Sequence, residues 1–145
     1  MPIRALESRD LESILAIQSA CPEIAQWKLA DYERVAQGEM SGWIFEEDRK
    51  LVGFLVARHV AREIEILNFA VRPDARRHGT GADLLECALS WAHTFSAEQA
   101  ILEVRSANTT ALRFYERHKF QIVGRRRNYY VAPNDDALLL SRRLT

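Results

Sequence analysis

Arg76-Arg77-His78-Gly79-Thr80-Gly81 joins a strand-like run to a helix-like run. Ahead of it lies Ile64 to Val71, closed by Pro73. Behind it lies Ala82 to Leu89, with apolar residues at helical spacing. A glycine-rich turn that opens a helix suits an anion. The first helical N–H groups have no intrahelical partner, and the helix dipole favours negative charge there. Two glycines let the backbone approach that anion without a Cβ in the way. The familiar phosphate loops can be separated from this one. A P-loop ends in Gly-Lys-Ser/Thr, whereas Ala82 and Asp83 follow Gly81 here. A dinucleotide fingerprint needs a third small residue, and that position is Leu84. What remains is Arg-x-x-Gly-x-Gly. Taken alone it fits a helix with a glycine start as well as it fits a phosphate site.

The second segment with chemistry in it is Leu102-Glu103-Val104-Arg105, followed by Asn108 and, seven residues on, Tyr115. A strand ends in a carboxylate, a short loop follows, Asn108 can cap a helix, and Tyr115 falls two turns into it. A third is Arg126-Arg127-Asn128-Tyr129-Tyr130. In this order the three segments resemble the GNAT acetyltransferases, and within them the bacterial RimI-type branch, which acetylates the N-terminal amine of a ribosomal protein. That branch shows Leu-Glu-Val-Arg, Asn-x-x-Ala-x-x-x-Tyr and Arg-Arg-Asn-Tyr-Tyr. The resemblance runs nearly end to end and is densest from Asn68 to Tyr130.

The resemblance implies an acetyl-coenzyme A cleft and an N-acetyltransferase acting on a protein or peptide N-terminus. Phe69, Ala70, Val71, Arg76, Arg77, His78, Gly79, Thr80, Gly81, Ala82, Asn108 and Tyr115 are its expected cofactor contacts. The chemistry can be set out independently. An α-amine has a pKa of about 8 and is mostly ammonium at neutral pH, so a base must take its proton. Glu103 is the candidate, with Glu65 on the preceding strand as its rival. The leaving thiolate resembles a thiol of pKa about 8.5, which a phenol can protonate, and Tyr115 is the candidate acid. A backbone N–H around Phe69 to Val71 can receive the developing oxyanion. Trp27, Tyr32, Asn128, Tyr129 and Tyr130 are the expected acceptor contacts. Acetylation of a small-molecule amine uses the same loop, and a non-catalytic acyl-coenzyme A or ribosome-binding module would share it without turnover.

The chain departs from the branch at two places that bear on the acceptor and on one helix end. Trp27 is followed by Lys28 rather than serine. The small residues usual before the phenylalanine that follows the tyrosine helix are replaced by Arg117-His118-Lys119, which strains that helix end or changes its type.

The elements must position these groups. At 145 residues, 48% hydrophobic and 28% charged, the chain is expected to form a single globular domain over 1–145. Twenty Lys+Arg balance 20 Asp+Glu, which argues against a global pull toward nucleic acid or an acidic membrane. The Arg125–Arg127 run then reads as a local patch facing solvent or acids. Cys21 and Cys87 have no metal spacing, and the four histidines do not cluster in sequence. No apolar run is long enough to span a bilayer and no signal-peptide core is evident, so a cytoplasmic protein, monomer or weak dimer, is expected. The patterns predict strands at Ile3–Leu6, Gly42–Glu46, Leu51–His59, Ile64–Val71, Ala100–Val104, Phe120–Val123 and Ala137–Ser141. Helices are predicted to Ala20, at Leu29–Gln37, Gly79–Thr94 and Thr109–Arg117, and a loop near Pro133–Asp136. The expected fold is α/β (α+β): one mixed sheet with helices on both faces and a V-shaped opening between two strands.

Overall fold

A computed structural model of the chain describes residues 2–144. Its strands are β1 (Ile3–Ala5), β2 (Ser41–Glu47), β3 (Lys50–Val60), β4 (Glu63–Val71), β5 (Gln99–Arg105), β6 (Gln121–Val131) and β7 (Asn134–Arg143). The helices are α1 (Leu11–Ala20), α2 (Leu29–Ala36), α3 (Thr80–His93) and α4 (Thr109–Arg117). The strands form one sheet in the order β1-β2-β3-β4-β5-β7-β6. All neighbours are antiparallel except β4 and β5. The predicted element order and mixed sheet therefore stand. Among the described residues no helix is long and apolar enough to cross a membrane.

Side-chain alternation divides the core between two faces. Leu55 and Ala57 of β3 pack with Leu84, Leu85, Ala88 and Leu89 of α3 and with Tyr115 of α4. Phe54 and Val56 of the same strand pack with Ile14 and Ile17 of α1 and with Tyr32 and Val35 of α2. Because both faces are covered, Val52 to Ala57 are all buried, which explains a strand that reads as a continuous apolar run. The α2 helix stops where Gly38 takes φ +93°, a turn that glycine allows without strain.

Two features could not be read from the pattern. In β4, Val56 faces Asn68 while Ala57 faces Ile66, so Leu67 is an extra residue, a β-bulge. The bulge resets the alternation: even-numbered Ile64 and Ile66 lie in the α3/α4 cluster, whereas beyond it even-numbered Ala70 lies in the α1/α2 cluster and odd-numbered Phe69 packs on the α3/α4 side. The last hairpin is also longer than predicted. Arg125 to Tyr130 and Asn134 to Asp136 are strand, not loop. As the outer strand, β6 is exposed along nearly its whole length, so it shows no buried alternation, and two register irregularities interrupt its pairing with β7.

Candidate active site

The opening comes from a strand pair that parts early. Parallel pairing of β4 and β5 is confined to Glu63–Glu65 against Gln99–Ile101. Beyond it β4 runs to Val71 and β5 to Arg105, and β5 stays paired to β7 on its other side. Residues 66–71 and 102–105 therefore face each other without a shared ladder. The N-terminal ends of α3 and α4 follow these two strands, so both helix dipoles present their positive ends at the mouth. The Arg72 N–H reaches the Val52 carbonyl on β3, 2.8 Å away. Alternation then directs the Ala70 N–H to β3 as well and turns those of Phe69 and Val71 to the open edge. Ala70 thus drops out as an oxyanion donor. The Phe69 N–H already meets Asn68 Oδ1 at 3.1 Å.

The two glycines of the loop serve different needs. Gly79 has φ +84°, and a Cβ there would meet nothing within 4 Å, which is the open backbone a large anion requires. A Cβ on Gly81 would stand 3.3 Å from the Phe114 ring, so its absence lets α3 and α4 close together. Arg77, also at positive φ, His78 and Gly79 are exposed, while Thr80 is buried and Ala82 half-buried. Arg76 differs from expectation. Its Nε donates to the Val71 carbonyl at 3.0 Å and its Nη2 pairs with Glu23 at 2.9 Å. That edge of the guanidinium is engaged by protein.

Tyr115 and Glu103 lie on opposite faces of the split sheet. Tyr115 packs in the α3/α4 cluster, with its ring 6.3 Å from Phe69 and 5.4 Å from Phe120. Burial raises its hydroxyl well above the ordinary phenol value. Among the described residues no buried side-chain oxygen or nitrogen lacks a partner. The Tyr115 hydroxyl makes no hydrogen bond among the described residues, so its oxygen is not fully enclosed. Glu103 lies between Leu102 and Val104, which are both buried on the α3/α4 side, so its carboxylate points to the other face. There Arg126 approaches it at 3.5 Å. The rival Glu65 is held by two hydrogen bonds from Arg58, at 2.9 and 2.7 Å. Asn108 caps α4, accepting the Ala111 N–H at 3.2 Å.

The last hairpin brings its aromatic residues to Glu103. The Arg105 guanidinium covers the Tyr130 ring at 4.1 Å, and that of Arg126 lies 5.4 Å from the Tyr129 ring. Burial first, and the negative charge of Glu103 second, raise the Tyr130 hydroxyl. Two of the three consecutive arginines face acids, Arg125 pairing with Asp136 at 2.6 Å. Asn128, expected as an acceptor contact, is exposed and is also engaged within the hairpin. It holds φ +54°, its N–H meets Asp136 at 2.8 Å, and its Oδ1 accepts from Asn134 at 3.1 Å. It shapes the hairpin, a conformation asparagine tolerates better than most residues. Tyr32 needs correction: it is fully buried, its hydroxyl bonded to Gln18 and Asn68, so it lies under the side expected for the acceptor and does not line it. Trp27 packs on it at 5.2 Å and remains half-buried. Sequence reasoning missed Gln18, Glu23 and Asn68 as the polar groups beneath this side. Only Asn68, a lone amide in an apolar strand, carried a signal.

A parted parallel strand pair with a glycine-opened helix on one side and an Asn-capped helix on the other defines an acyl-coenzyme A transferase cleft. The chain belongs to the acetyltransferase (GNAT) family, whose model matches residues 6–120, and it is an N-acetyltransferase. It is 33% identical over 96 residues to the ribosomal protein bS18-alanine N-acetyltransferase of Salmonella typhimurium, a match spanning 65% of each chain. An N-alpha-acetyltransferase of Sulfolobus acidocaldarius is 30% identical over 96% of this chain and 90% of its own. The crystal structure of the ribosomal-protein-S18-alanine N-acetyltransferase from Escherichia coli superposes with a TM-score of 0.86 at 26% identity, covering 99% of this chain and 93% of that one.

Proposed function

We propose that this enzyme transfers the acetyl group of acetyl-coenzyme A to the N-terminal α-amine of a protein, with a ribosomal protein as the leading acceptor. One observation carries the proposal: a carboxylate and an unbonded phenol flank the same gap from opposite faces of the sheet. The protein's residues fit the donor. Gly79 leaves open backbone at a helix start, and the unpaired edges of 66–71 and 102–105 offer N–H and C=O groups to the amides of a pantetheine arm. When bound, acetyl-coenzyme A supplies the activated thioester.

The loop N–H groups and Arg77 hold phosphate at the start of α3. Asn108 keeps the start of α4 in place beside the gap. Glu103 accepts the proton of the incoming amine, directly or through one water. Tyr115, kept protonated by burial, gives a proton to the sulfur as it leaves. The Val71 N–H, on the open edge, faces the position of the acyl oxygen. Trp27 on one side and Tyr129 and Tyr130 on the other wall the acceptor. A cytoplasmic location follows from this acceptor.

The test is intact mass spectrometry of peptides incubated with enzyme and acetyl-coenzyme A. A peptide carrying the N terminus of ribosomal protein bS18 should gain one acetyl group, and the same peptide with a blocked N terminus should gain none. Acetylation of free small amines alone would replace the peptide acceptor with a small-molecule one.

A further inference from the structure

The α1–α2 connection, residues 21–28, is fastened to the donor side of the site by side chains that take no part in the chemistry above. Glu23 pairs with Arg76 at 2.9 Å. Arg76 in turn donates to the Val71 carbonyl at 3.0 Å, and its Nη2 lies 3.3 Å from the Cys21 sulfur. Asn68, beside the bulge in β4, donates to the Ala25 carbonyl at 3.1 Å and to the Tyr32 hydroxyl at 2.9 Å. Gln18 brackets Trp27 from both sides, donating to its carbonyl at 2.8 Å and accepting its N–H at 3.0 Å. Among the described residues, none of the buried side-chain nitrogens and oxygens of this relay lacks a partner. A satisfied network of this kind holds backbone firmly, because breaking one bond strands another buried group.

We propose that Arg76 is a positioning residue for the acceptor and not a ligand of the coenzyme A phosphates: through Glu23 it docks the 21–28 connection on the end of β4 and so fixes the Trp27 wall of the acceptor groove. The inference rests on the peptide acceptor proposed above. The Glu23–Arg76 pair is partly open, with side chains 33% and 37% exposed, so solvent screens it; the carbonyl bond and the sulfur contact add to it on the buried side. Phosphate attraction then falls to the loop N–H groups, the α3 dipole and Arg77. The two loop arginines, adjacent in sequence, serve opposite substrates.

The experiment compares wild type with Glu23→Gln, Arg76→Gln and the charge-swapped double variant Glu23→Arg/Arg76→Glu. Three quantities are read: acetyl-coenzyme A affinity by calorimetry, peptide KM and kcat, and amide exchange of residues 22–28. Losing a hydrogen bond to a charged group predicts a peptide KM raised about tenfold in both single variants. Exchange of residues 22–28 should be faster in both, with kcat and acetyl-coenzyme A affinity near wild type. The double variant should recover part of the KM and of the protection. Arg76→Gln weakening acetyl-coenzyme A tenfold or more while Glu23→Gln behaves as wild type would overturn the proposal in favour of a phosphate contact (about 1.4 kcal/mol per tenfold). Unchanged exchange, or faster exchange with an unchanged peptide KM, would overturn it too. A wild-type enzyme that binds acetyl-coenzyme A but acetylates no peptide defeats the peptide acceptor, and the exchange and affinity measurements then still decide between docking and phosphate contact.

Discussion

A phenol can return a proton to a departing thiolate only if it is protonated and its hydroxyl is free to reach the sulfur. Burial among Phe69, Phe114 and Phe120 meets the first condition for Tyr115, and the lack of a protein partner meets the second. The sign of the shift fixes a pH dependence. A raised phenol stays protonated through the whole range in which the amine becomes neutral, so Tyr115 should impose no fall in rate below about pH 10. Tyr115→Phe should slow transfer by about 10² or more, the usual worth of a general acid, and raising the pH should not restore it. Stopped assays of peptide acetylation across pH 6–10 check this. That Glu103 stands on a strand, Asn108 at a cap and Tyr115 two turns into a helix was legible because this spacing is local. Tyr32 and Arg76 were not. Their placement depends on Gln18, Glu23 and Asn68, which lie far away in sequence and meet only when the sheet forms.

At the level of elements, the end of α4 shows a local conflict resolved by its surroundings. The Phe120 N–H bonds the Tyr115 carbonyl at 3.0 Å and the Lys119 N–H bonds that of Glu116 at 3.1 Å, which is a Schellman end. Lys119 therefore holds φ +68°, where glycine is the unstrained residue. The strain anticipated from the missing glycine is present, and it is borne because Phe120 is buried beside Tyr115 and anchors the turn. Lys119→Gly should raise stability by about 1 kcal/mol, measured by urea unfolding, with kcat unchanged. A loss of stability would mean that the lysine side chain contributes more than its backbone costs. Helices α3 and α4 were predictable to within a residue or two, since apolar periodicity and capping residues bound them. The β4 bulge had no such mark, because one extra residue in an apolar strand alters no local pattern. The β6–β7 hairpin was read short for a related reason: an outer strand exposed on both faces carries no alternation to count.

For the molecule as a whole, function follows from which face each helix pair covers. In the proposed mechanism the α3/α4 side supplies the acid and the phosphate-holding helix start, the α1/α2 side carries Trp27, and the split between β4 and β5 is the passage between them. Filling that passage should tie the two sides together. Acetyl-coenzyme A at about a hundred times its Kd should add about 2.7 kcal/mol to the unfolding free energy, read as a rise in Tm with ligand concentration. Absence of any shift in a folded sample would remove the donor from the passage. The most direct test of the central claim, a base and an acid acting across a split sheet, is the pH–rate profile of Glu103→Gln on an N-terminal peptide. The variant should be slower by about 10²–10⁴ near neutral pH, and the deficit should shrink above about pH 8, where the amine is already neutral. A variant of near-normal rate across the whole range would contradict the account and move the base to Glu65 or to a chain of waters.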